Sequence, residues 1–277
     1  MSLKPVIDHA VINVDGQLDA ACALFRRLGF QLTPRGHHSM GSSNHLAIFG
    51  ENYLELLGYE PDSAPGKRGF WHVPPGLAGL VWKTTDASEA YSALQQCGLD
   101  GEPPTRFSRP VELPDGRQTE AAFCITRLNA AAIPYGFSFF CQHLTPDAVW
   151  QDDWREHANG VQALTEFVIA SPTPDETISL YARLFSAPTE QEPGGGRFLR
   201  TGESRLRVIT PRQASETFGL TGAALATPCM AALAFRVASL ARLMDHLASA
   251  GIHWQRTENR VVVSAAQTGL VALSFSE

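Results

Sequence analysis

The sequence predicts an α+β protein built from four βαβββ units, paired into two domains whose sheets are mixed. Three observations carry this. One order, a strand, a short amphipathic helix and then further strands, recurs along the 277 residues. The segments LFRRLGF (24–30) and LYARLFS (180–186) are alike and hold the same place in the first and third units. Between them TPDAVWQDDWREHANG (145–160) is polar and aromatic and breaks the pattern. That break places one domain at 1–150 and a second at 158–277. A single unit cannot bury its small curved sheet, whereas two side by side can enclose a cleft.

In the first unit, residues 5–14 read as a strand, with His9, Val11 and Asn13 on one face and Ala10, Ile12 and Val14 on the other. Asp15-Gly16 marks a turn. Residues 17–28 space Leu18, Ala21, Cys22, Phe25 and Leu28 as a helix does, and Gly29 supplies a stop. Strands are expected near 30–35, 44–49 and 53–58. The second unit has a strand at 77–84, a helix at 86–97 capped by Asp86 and followed by Gly98, and strands near 106–113, 119–127 and 137–143. The third has a strand at 163–171, a helix at 174–185 with Pro174 in its first turn, a flexible PGGG, and strands at 197–201 and 205–211. PRQASETFGLTGAALATP then reads as a long loop. A strand at 229–237, a helix at 239–251 and three strands in IHWQRT, NRVVVSA and GLVALSFS complete the fourth.

Composition excludes several classes of function. The chain is 44% apolar and 18% charged with a net charge of -6, and it has no low-complexity tract. No basic stripe is present, so no nucleic-acid partner is expected. The N-terminus has no basic and apolar leader, and no apolar run nears the ~18–20 residues needed to cross a bilayer. Cys22, Cys97, Cys124, Cys141 and Cys229 are widely spaced, lie mostly in apolar segments and form no CxxC pair. They read as reduced, buried thiols of a cytoplasmic protein.

The chemistry points to residues 4–59. His9 interrupts an apolar strand and Glu55 interrupts YLELL. An unpaired buried carboxylate costs several kcal/mol, so Glu55 needs a partner. A divalent metal shared with His9 is one candidate, and imidazole with carboxylate suits Zn, Mn, Fe, Co or Ni. An arginine is another. His38, His37, His45, His72 and His143 are all candidates for a third ligand. Trp71, His72, Trp82, Phe139 and His143 are candidate walls of a cleft, although aromatics at strand spacing also serve as plain core.

DHAVINV (8–14), LFRRLGF (24–30) and above all HHSMGSSNHLAIFGENYLELLG (37–58) resemble the vicinal oxygen chelate superfamily of glyoxalase I, extradiol dioxygenases and bleomycin-resistance proteins. Within it they look like the glyoxalase-like domain branch, and FFCQHLTPDAVW (139–150) is similar less sharply. The resemblance implies paired units forming cups that usually hold a divalent metal, to be chelated by two neighbouring oxygens of a substrate. It carries the first-strand histidine onto His9 and the last-strand carboxylate onto Glu55. The histidine before G-S-x-N falls on His38, with His37 beside it. Metal ligands His9, Glu55 and His38 follow, with Glu55 and His38 catalytic. Asn44, His37, Trp82, Phe139 and His143 are the expected ligand-binding residues. The second-unit ligand positions fall near Ala78-Gly79 and Ser138-Phe139, which offer no metal donor. In the second domain Thr165 or Glu166 falls opposite His9 and Ser274 opposite Glu55, which reads as a degenerate copy.

The expected function is binding of a small molecule in the N-terminal cup, with metal-dependent lyase, isomerase or dioxygenase chemistry on vicinal oxygens. A non-catalytic, bleomycin-resistance-like ligand-binding protein is the alternative. Metal-free acid–base catalysis by Glu55 with His38 is a third reading. A homodimer is expected by analogy with the superfamily.

Overall fold

A computed structural model describes residues 3–39, 41–60, 69–257 and 259–277. The first half forms one eight-stranded mixed sheet from β1 (Ile7–Asp15), β2 (Gly36–His37), β3 (Ser42–Ile48), β4 (Tyr53–Tyr59), β5 (Gly76–Lys83), β6 (Thr105–Glu112), β7 (Gln118–Arg127) and β8 (Phe137–His143). Their order is β2-β3-β4-β1-β5-β8-β7-β6. The second half repeats it with β9 (Val161–Ala170), β10 (Glu190–Gln191), β11 (Arg197–Thr201), β12 (Ser204–Ile209), β13 (Cys229–Val237), β14 (Gln255–Arg256), β15 (Val261–Val263) and β16 (Ala272–Ser276), in the order β10-β11-β12-β9-β13-β16-β15-β14. The helices are α1 (Leu18–Arg27), α2 (Ala87–Cys97), α3 (Pro174–Phe185), α4 (Pro211–Phe218), α5 (Leu240–Ser249) and α6 (Ala265–Thr268). Both sheets are of the vicinal oxygen chelate type. Among the described residues no helix is long and apolar enough to cross a membrane.

In each half the outer strands of a unit fold back on its first strand, and the two units meet where their first strands pair antiparallel, β1 with β5 and β9 with β13. Strand alternation then sorts the side chains. On β1, Ala10, Ile12 and Val14 enter a core beneath the helices, while Val11 packs on the opposite, concave face. The convex faces of the two halves share a single core. Phe30 meets Phe235 edge-on at 5.4 Å, and Trp82 meets Phe185 of α3 at 4.7 Å. Burial of this apolar surface, at roughly 25 cal/mol per Å², is what fixes the two halves against each other.

Helix ends follow the sequence signals. The Asp86 carboxylate accepts from the backbone N–H groups of Ser88 and Glu89, and α2 stops at Gly98, whose φ of 66° suits glycine. Elsewhere the structure corrects the reading. No strand forms at 30–35. Phe30 and Leu32 go into the core, Thr33 bonds Leu46 through its backbone N–H and its Oγ1, and only residues 36–37 pair as a strand. The stretch expected as a long loop holds α4, started by a capping box in which Thr210 and Gln213 bond each other's backbone. The fourth unit's last strands are shorter than expected, with α6 between them.

α4 has a further consequence. Its Ala214 and Phe218 pack on Val168, Ile209, Ala232, Val262 and Ala272, the concave face of the second sheet. The second cup is filled by its own chain.

Candidate functional site

The concave face of the first sheet holds a cavity of about 250 Å³. Val11, Leu46, Leu57, Phe107, Phe123, Phe137 and Phe139 give it apolar walls. His9, His38, Asn44, Tyr53, Glu55 and Arg109 bring polar groups into it. An apolar pocket with a few convergent polar groups is the usual form of a small-molecule site.

β1 and β4 run parallel with Val11 opposite Glu55 and His9 opposite Tyr53. That register sets the His9 ring on Tyr53 at 4.2 Å and brings His9 Nε2 to 3.5 Å from Glu55 Oε2. A register irregularity lies between Ile7 and His9 in the β1–β5 pairing. The Asp8 carboxylate there lies 2.7 Å from His9 Nδ1 and 3.0 Å from His143 Nε2. Asp8 therefore fixes the His9 ring through Nδ1 and leaves Nε2 to face Glu55. A carboxylate behind a ring in this way is the usual support of a metal-ligating histidine.

The electrostatics follow from burial and partners. Burial opposes ionisation of Asp8, but His143 and His9 outweigh it and hold its carboxyl well below the usual range. For Glu55 burial is likewise outweighed, by the hydrogen bond and charge of His9 and the amide of Asn44, and the carboxyl lies at about 2. Burial disfavours the charged form of His9, yet its bonds to Asp8 and Glu55 raise its pKa. Burial lowers His38 to about 4, so this ring is neutral at pH 7.

Asn44 links the second imidazole to the first pair. Its Nδ2 donates to Glu55 Oε1 at 2.6 Å and lies 3.2 Å from His38 Nε2. His38 Nδ1 bonds Ser42 Oγ at 2.7 Å. His9 and Glu55 thus present two converging donors of the right chemistry for a borderline divalent cation, and His38 stands one amide away from closing a two-histidine, one-carboxylate set. The second unit adds no donor at the β5 place that faces Val11. A Cβ on Gly79 would lie 2.2 Å from the Phe137 ring, so the place for a ligand from β5 is filled by an aromatic wall. Among the described residues, the three His, Cys, Asp or Glu side chains whose ligand atoms all lie within 4.8 Å are Asp8, Cys141 and His143, just behind His9.

The sequence-predicted residues divide accordingly. His9, His38, Asn44, Glu55 and Phe139 line the cup, and so does Trp71. Trp82 does not. It is fully buried in the shared core with its Nε1–H on Ser138 Oγ, because with Leu80 it lies on the side of β5 that turns away from the cup. His37 points outward and is largely exposed beside Ser43 and Glu60. His143 lies behind the cup on Asp8 rather than in its lining. His45 bonds the Thr33 carbonyl, and His72 lines a different cleft. Sequence reasoning missed Asp8, Tyr53 and Arg109.

The same register explains the second half. Glu166 pairs with Arg205 and Ala234 as His9 pairs with Tyr53 and Val81. Glu166, not Thr165, therefore holds the His9 place. Val168 pairs with Arg207 as Val11 pairs with Glu55, so Arg207 holds the Glu55 place. Ser274 pairs with Ala234 as Phe139 pairs with Val81, which puts it opposite Phe139 rather than Glu55. The second cup has a carboxylate and an arginine where the first has an imidazole and a carboxylate.

This fold, with its paired units and a histidine–carboxylate pair in one cup, defines a member of the vicinal oxygen chelate superfamily. The chain belongs to the glyoxalase-like domain family, whose model matches residues 7–185. Solved structures agree in fold at low sequence identity. A hypothetical protein from Staphylococcus aureus superposes with a TM-score of 0.68 at 15% identity, over 98% of both chains. A triple mutant of 4-hydroxymandelate synthase from Streptomyces coelicolor gives 0.65 at 14%, over 99% of this chain and 92% of that one. The Mn(II)-bound glyoxalase from Novosphingobium aromaticivorans gives 0.64 at 10%, over 100% of this chain and 83% of that one. No curated protein sequence matches this one.

Proposed function

We propose that the first cup binds a small molecule with two neighbouring oxygens and transforms it with a divalent metal held by His9 and Glu55, with His38 as third ligand, in a lyase, isomerase or dioxygenase reaction. The observation that carries this reading is the buried pair itself. His9 Nδ1 is fixed on Asp8, and its Nε2 faces the Glu55 carboxylate across 3.5 Å. A metal bound there supplies Lewis acidity to an oxygen of the substrate. Glu55 contributes a carboxylate that stays ionised at neutral pH and is oriented by the Asn44 amide. His38, neutral and anchored on Ser42, stands beside this pair with its Nε2 3.2 Å from the Asn44 amide. The aromatic walls exclude water from the reacting end.

A second reading, a binding protein of the bleomycin-resistance kind without metal catalysis, is favoured by the apolar wall that Phe137 builds over Gly79. Elemental analysis of protein purified without chelator or metal-affinity tag separates the two. About one equivalent of Zn, Mn, Fe, Co or Ni, lost on replacing His9 and Glu55 together, supports the enzyme reading. No metal in the wild type, even after reloading, overturns it in favour of ligand sequestration.

A further inference from the structure

Arg109 is the side chain of the cup that the metal reading leaves without a task. It sits on β6, is 4% exposed, and lines the cavity. Among the described residues it makes no ion pair, and its Nε has no hydrogen-bond partner. Glu55 acts on it through the field alone. A buried guanidinium without a partner is costly, and proteins keep one where an anion completes it. Glycine at position 36 is what gives the group its place. A Cβ there would lie 2.8 Å from both Arg109 Cδ and Nη1, and 2.5 Å from Asn44 Oδ1. Arg109 and Asn44 therefore crowd the same spot at the polar end of the cup. Asn44 Oδ1 is itself buried with no donor, while its Nδ2 is committed to Glu55. The unmet groups are one planar cation and, beside it, one acceptor. Away from His9, His38 and Glu55, most of the lining is aromatic and aliphatic.

We infer that the cup recognises an apolar carboxylic acid carrying a hydroxyl on the carbon next to the carboxylate, the carboxylate on Arg109 and the hydroxyl donating to Asn44 Oδ1. This deepens the proposed function by naming the substrate class, and rests on that reading only for the choice of cup. A carboxylate matches the guanidinium fork, and the neighbouring hydroxyl supplies the proton that Asn44 Oδ1 lacks. The ring or chain of the acid lies against Phe107, Phe123 and Phe139.

The test is calorimetric binding of 3-phenyllactate, 3-phenyllactamide and 3-phenylpropanoate to chelator-treated protein, so that the answer does not depend on a metal. Wild type binds 3-phenyllactate at least about tenfold tighter than the amide, a difference of about 1.4 kcal/mol, and also tighter than 3-phenylpropanoate. Arg109→Gln loses the preference for acid over amide, and Arg109→Lys keeps part of it, since the charge remains without the fork. Gly36→Ala retains the arginine but displaces it, and also loses the preference. Arg109→Gln melts no lower than wild type, because no ion pair is broken. Equal binding of acid and amide by wild type, an acid preference that survives Arg109→Gln, or no binding of either acid at millimolar concentration overturns the assignment. Acid selectivity in a protein that takes up no metal supports this inference and leaves the metal reading to fall alone.

Discussion

The two cups share one strand order and one register and differ in whether their charges are used up. In the second, Glu166 accepts from Arg205, Arg207 and Arg260, and Arg207 also reaches Glu192. Phe218 of α4 packs on Val168, Ile209 and Ala232 of the same face. Burial is outweighed there by the three arginines, and the Glu166 carboxyl lies at about 2. In the first cup His9 and Glu55 stand 3.5 Å apart over an open cavity, and Arg109 Nε and Asn44 Oδ1 remain unmet. The comparison teaches that the sheet alone does not make a site. A cup becomes a site where its polar groups are held in place from behind and left unsatisfied in front. The second cup has been turned into structure by pairing its charges.

That contrast is open to breakage in order of effect on stability. Truncating the plug with Phe218→Ala should cost about 3–5 kcal/mol in a urea titration and leave ligand binding in the first cup unchanged. Glu166→Gln comes next, at about 3 kcal/mol, since arginine cannot shed its charge. It also alters the acid limb of the stability profile. The folded Glu166 carboxyl lies at about 2 against an ordinary 4.5, so its contribution is complete above the unfolded value and is lost as pH falls from 4.5 through 2. That is about 3 kcal/mol, present in wild type and absent from the variant. Asp86→Ala removes a helix cap outside both cups and should cost about 1 kcal/mol.

A smaller effect than that of Glu166→Gln belongs to the first cup. Glu55→Gln should cost less than Glu166→Gln in the same titration, because one imidazole faces it in place of three arginines. Its partner is an imidazole that relaxes by releasing a proton, and the His9 pKa should fall when followed by NMR. A cost as large as that of Glu166→Gln would mean that both cups are structural. Asp8→Asn sharpens the point from behind, weakening metal affinity by roughly 10–100-fold while Glu55 stays in place.

Much of this architecture is legible in the sequence, because apolar alternation and helical spacing are strong in β1, β5, β9, β13 and the helices α1, α2, α3 and α5. α4 escapes the same reading because PRQASETF has only Ala214 and Phe218 to show its period, and its cap, Thr210, lies at the end of the preceding strand segment. His9 and Glu55 stand out as polar interruptions of apolar strands. Arg109 does not, since β6 is an edge strand with charged neighbours and a proline. The signal was nonetheless present: Phe107, Arg109 and Val111 alternate with the exposed Arg106, Pro110 and Glu112. Asp8 is hidden by the rule of alternation itself. A neighbour of His9 should point to the other face, and only the local irregularity in β1 brings its carboxylate onto the ring. Trp82 misleads in the opposite sense, as an aromatic on a cup strand whose face is the shared core.

The most direct test of the division between the cups is titration of chelator-treated protein with Mn(II), read by loss of the free-ion electron paramagnetic resonance signal. Wild type should bind about one equivalent, His9→Ala/Glu55→Gln none, and Glu166→Ala/Arg207→Ala as much as wild type. Binding that survives the first double variant, or that vanishes in a folded second one, would contradict the account.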